Sequence, residues 1–119
     1  MVVQRYGRFL LHEVLVSKGE RLRHTALLQI TVSQDSGNDI VIAYLPTRFG
    51  SLASVKERTH IWLMEQACQI EKTRRWLRET CDPEVKAKFQ ALLDIWEPCY
   101  REVSLALAEL DNTTLASDN

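Results

Sequence analysis

Hydrophobic positions along this chain change their spacing near residue 50. Before it they alternate with polar ones, and after it they recur every three or four residues. From Arg23 to Val32 the alternation is clear. Ala26, Leu28, Ile30 and Val32 share one side of an extended chain, while Thr25, Leu27, Gln29 and Thr31 take the other. A run of turn formers follows from Gln34 to Asp39, and then a second strand-sized apolar run from Ile40 to Leu45. This pair reads as a β-hairpin. Pro46 ends it, and Thr47-Arg48-Phe49-Gly50 forms a connector. Between Tyr6 and Val16, Gly7 and the β-branched Val14 and Val16 favour a strand. Phe9, Leu10, Leu11, Val14 and Leu15 could equally line a short helix closed by Gly19. The strand reading gives an antiparallel meander of two or three strands over residues 5–46.

The second half predicts a hairpin of two long helices over residues 51–110. The first starts near Ser51 or Ser54, with the Ser54 hydroxyl available as N-cap and Glu57 as its capping-box partner. Val55, Trp62, Leu63, Ala67, Ile70 and Leu77 form its apolar stripe, while Ile61, Met64 and Cys68 lie off it. The second helix has a cleaner stripe from Val85 through Phe89, Leu92, Trp96, Tyr100, Val103 and Leu107 to Leu110. Only Thr80-Cys81-Asp82-Pro83 separates the two, with Asp82 suited to cap a helix and Pro83 to occupy its first position. Helices of about 27 residues make rods of about 40 Å. That exceeds the usual diameter of so short a chain. Pro98 lacks a backbone donor, so a kink is expected near Asp94–Glu97, with a full break as the alternative. The expected fold class is therefore α+β, an N-terminal sheet packed on a C-terminal helical hairpin. Residues 1–111 make one domain and the polar residues 112–119 a disordered tail.

Composition adds limits. The chain has 119 residues, 45% of them hydrophobic and 26% charged, as in an ordinary soluble domain, and no apolar run approaches a membrane span. The N-terminal residues do not resemble a signal peptide. Cys68, Cys81 and Cys99 are an odd number without close pairing, which points to a reducing, cytoplasmic setting rather than a disulfide framework. The net charge of −1 conceals a split: residues 1–80 hold 12 Lys/Arg against 8 Asp/Glu, and residues 81–119 hold 3 against 8. A basic first helix beside an acidic second one makes an electrostatically matched hairpin.

Candidate chemistry is sparse. His12, His24, His60 and the three cysteines show no metal-ligand spacing, and His60 and Cys68 lie two turns apart on one helix. No cysteine has a histidine partner in sequence, and the four separated glycines form no phosphate-cradling loop. Neither an enzymatic activity nor a cofactor or metal is expected. Two binding readings remain. Trp62, Trp76 and Trp96 are many tryptophans for two helices, and Trp and Arg anchor protein interfaces. Trp62 and Trp96 suit the core, whereas Ile61, Met64, Arg75, Trp76 and Arg78 suit a partner surface. A second copy of the chain is the simplest partner. The function expected is that of a non-enzymatic regulatory subunit or adaptor acting through its helices. The alternative is a nucleic-acid-binding accessory protein. It would use Arg5, Arg8, Lys18, Arg21, Arg23 and Arg48, with Tyr6, Phe9 and Phe49 interleaved. A sequence pI of about 6.3 falls short of the basic balance usual for that class.

Overall fold

A computed structural model describes residues 2–18 and 23–117. Four strands, β1 (Val2–Tyr6), β2 (Phe9–Lys18), β3 (Arg23–Val32) and β4 (Ile40–Pro46), form one antiparallel sheet in the order β1-β2-β3-β4. A single 3-10 turn, Thr47–Phe49, leads to α1 (Leu52–Glu79) and then α2 (Pro83–Ser117). The α+β expectation holds, but the sheet has four strands rather than two or three. The extra strand comes from the short link Gly7-Arg8, where Gly7 adopts φ +57° and lets Tyr6 pair with Phe9. The segment from Tyr6 to Val16 is thus not a helix and not one strand, because it reverses after its first residue.

Helix ends follow local chemistry. Ser51, not Ser54, caps α1: its hydroxyl accepts from the Ser54 amide at 3.2 Å. Ser54 sits at the third helical position, so Glu57 has no capping-box role. At the corner, Asp82 Oδ1 accepts from the Glu84 amide at 3.0 Å, and Pro83 opens α2 as expected. The second helix runs through Pro98 without a break. It also carries the segment from Asn112, expected as a disordered tail, onward as far as Ser117, while residues 118 and 119 lie outside the described residues.

One face of the sheet meets both helices. Phe9, Leu11, Leu28, Ile30, Val32 and Ile42 pack on Val55 and Leu63 of α1 and on Val103, Ala106, Leu107 and Leu110 of α2. Ile42 reaches this core from a β-bulge, since Ile30 pairs with Ala43 and Thr31 with Val41. Buried Thr59 and Thr73 satisfy their hydroxyls on the carbonyls of Val55 and Gln69, four residues back, at 2.7 and 2.8 Å. Ion pairs described between the helices include Lys56–Asp111 at 3.1 Å and Arg74–Glu97 at 3.0 Å. Each joins a base on α1 to an acid on α2, as the charge split implied, although such exposed pairs add little stability. The Tyr6 hydroxyl donates to the Gly50 carbonyl at 2.9 Å and ties the edge strand to the start of α1.

Candidate interaction surface

The helical hairpin outlasts its sheet. The radius of gyration of 17.2 Å exceeds the ~13–14 Å of a compact chain of this length. The consequence is legible along α2. Val85, Phe89, Leu92, Trp96 and Cys99 continue, at alternating steps of four and three, into Val103, Ala106 and Leu110, which places all of them on one side. The last three are buried beneath the sheet. The first five lie beyond it and are none of them buried, with Leu92 38% exposed and neighbouring Ile95 62% exposed. Near the corner, Trp76 of α1 meets Phe89 with ring centroids 5.8 Å apart, yet Trp76 remains 45% exposed.

Several hollows border α1, and three of them bear on the residues expected at a partner surface. One of about 300 Å³ lies between α1 and β4, lined by Ile42, Ala43, Tyr44, Arg58, Ile61, Trp62 and Glu65. A groove between the helices runs past Leu63, Met64, Ala67 and Tyr100, with a volume of about 420 Å³ on its His60–Asp111 side. A third hollow, at the corner, is lined by Trp76, Glu79, Thr80, Val85 and Phe89. The residues expected at a partner surface are therefore split. Ile61 lines the first, Met64 the second and Trp76 the third, with Arg75 and Arg78 exposed on the same helix. Trp62 packs against the core as expected, while Trp96 is only half-buried because the sheet ends before it.

Of the described basic residues of the N-terminal region, two are engaged by groups of the chain itself. Arg8 is held from within: its guanidinium donates to the Ser33 carbonyl and pairs with Glu102 at 2.7 Å. The Arg48 guanidinium stacks over the Phe49 ring at 4.9 Å. Arg5 is exposed on β1, Lys18 and Arg23 are cross-strand partners on β2 and β3, and Arg21 lies outside the described residues. Among the described residues no group of three or more His, Cys, Asp or Glu could hold a metal ion, and no helix is long and apolar enough to cross a membrane.

No family model, curated protein or solved structure matches this chain.

One further surface went unread in the sequence. The sheet face turned away from the helices exposes Val2, Val41 and Tyr44 by 48%, 45% and 48%, with Val14, Val16 and Leu27 half-buried beside them. Tyr44 is oriented there by a hydrogen bond from Gln29 at 3.0 Å. Leu27, placed among the polar positions of its strand, was the available signal.

Proposed function

We propose that this chain is a non-enzymatic, cytoplasmic interaction protein, a regulatory subunit or adaptor, that self-associates through its helical surface. One observation carries the reading: the hairpin leaves large apolar side chains of both helices exposed, Met64 and Trp76 on α1 and Leu92 and Ile95 on α2. Apolar groups left in water at this density are what partner surfaces supply with cover. Pro98 deprives the Asp94 carbonyl of its helical donor, and we take α2 to bend there so that it follows the sheet. Light scattering and affinity purification test the proposal. Replacing Ile61 and Trp76 with polar residues is expected to reduce oligomer or partner recovery while leaving the helical circular-dichroism signal intact. A wild-type chain that is monomeric and recovers no partner would sink it.

Nucleic-acid binding through Arg5, Lys18, Arg21, Arg23 and Arg48 is the competing proposal. It draws support from the exposed Arg5 and from Arg48 stacked on Phe49. Retention of nucleic acid at low salt that declines steeply as salt rises, and that weakens in Arg21→Ala/Arg23→Ala, is its expected signature.

A further inference from the structure

A row along α1 carries a charge pattern that no ion pair among the described residues uses. Arg58, Glu65, Lys72 and Glu79 recur every seven residues, two turns apart, so they form one row along the helix. Their signs alternate, and all four are exposed. Among the described residues, the ion pairs of α1 engage other positions, including Lys56 with Asp111, Arg74 with Glu71 and Glu97, and Arg78 with Glu71. A row that alternates in sign over four positions has a particular symmetry. Read in reverse, every positive position faces a negative one. Two identical helices laid antiparallel about a two-fold axis midway between Glu65 and Lys72 therefore pair Glu65 with Lys72 of the other copy. The same operation pairs Arg58 with Glu79, and each pair occurs twice. A parallel arrangement in register would set like charges together instead.

The same axis brings two apolar features into register. It sets Ile61 of one copy opposite Trp76 of the other, because the two are as far from the axis as each other. Along the helix they are about 22 Å apart. Ile61 lines the hollow between α1 and β4, whose floor includes Ile42 and Trp62 and whose rim includes Arg58 and Glu65. Its volume of about 300 Å³ suits an indole ring. Trp76 is the half-exposed aromatic near the hairpin corner, with Glu79 one turn beyond it. Cys68, exposed on α1, comes beside the axis.

We propose that a second copy of this chain packs its α1 antiparallel along this charged row, the exposed part of Trp76 of each copy, whose other side rests on Phe89, seating in the Ile61 hollow of the other. The inference rests on the self-association reading and specifies its geometry. A coil pairing of this kind uses charges at the flanks to set orientation and apolar groups to exclude water.

Charge exchange tests it. In sedimentation equilibrium at low salt the wild-type chain is expected to dimerise. Glu65→Lys and Lys72→Glu should each weaken the dimer about tenfold or more, since each creates two like-charge contacts. The double variant E65K/K72E should restore it. Glu65 and Lys72 lie two turns apart on their own helix, so the rescue has no intrachain explanation. In a C81S/C99S background, a short thiol-to-thiol crosslinker should join Cys68 to Cys68 of the second copy, and E65K should suppress the product. A dimer indifferent to both single reversals, or one not restored by the exchange, overturns this geometry while the self-association reading stands. A monomeric wild-type chain overturns both.

Discussion

Two residues show how little side-chain chemistry separates this arrangement from a looser one. Gly50 lies beneath the sheet, where an added methyl group would come 3.0 Å from Leu28 Cδ1 and 3.6 Å from Leu11 Cδ2. Its carbonyl is also the acceptor for the Tyr6 hydroxyl. That bond spans 44 residues of chain and holds β1, which among the described residues is an edge strand of the sheet. Tyr6→Phe keeps the ring against the core and removes only the bond. It is expected to lower stability by about 1 kcal/mol in urea denaturation, with an unchanged m-value. Arg8 works in the same way from the other side of the Gly7-Arg8 link, fastening it to Ser33 and to Glu102 of α2. The sequence grouped Arg8 with residues meant for an outside partner. Nothing local could have said otherwise, because both of its partners are distant in sequence and arrive only with the folded sheet and helix.

At the scale of elements, capping offers a sharper test, because two serines compete for one role. Ser51→Ala should cost about 1 kcal/mol, while Ser54→Ala should cost clearly less, since only Ser51 satisfies an otherwise unpaired helix amide. Comparison of the two thermal midpoints decides it. The pattern of apolar residues made both helices, the Asp82-Pro83 corner and the β3–β4 hairpin legible, because each rests on spacing and short-range chemistry. It concealed β1 because Gly7-Arg8 is a poor turn signature, and a two-residue reversal leaves the alternation on either side looking continuous. It also read Trp96 as core. The stripe of α2 keeps one phase from Val85 to Leu110, and a stripe does not say where the surface it packs against ends.

For the whole molecule, that ending divides the hairpin into two regimes. Near the sheet, α1 and α2 are locked by Val55, Leu63, Val103 and Leu107 in a shared core. Toward the corner they have chiefly each other: Ile70, Thr73 and Leu93 are buried, and Trp76 leans on Phe89. Amide hydrogen exchange should reflect this. Protection is expected to be highest around Val55–Leu63 and Val103–Leu110 and lower by at least tenfold around Thr73–Phe89, because fewer buried contacts must be broken to open that end. Uniform protection along both helices would mean that the corner is covered in solution, as it would be in a dimer of the kind proposed. Measurements above and below the dimerisation constant separate the two cases.

The placement of Val103, Ala106, Leu107 and Leu110 against Phe9, Leu11 and Ile30 also has a meaning for the order of events during synthesis. The sheet leaves the ribosome before the helices that close over it, and the core residues of α2 follow those of α1. Until α2 has emerged as far as Leu110, Phe9, Leu11, Ile30 and Val32 are covered only in part, by Val55 and Leu63 of α1. A newborn copy of this protein is thus most adhesive before α2 has emerged, and the two turns from Val103 to Leu110 are what end that exposure.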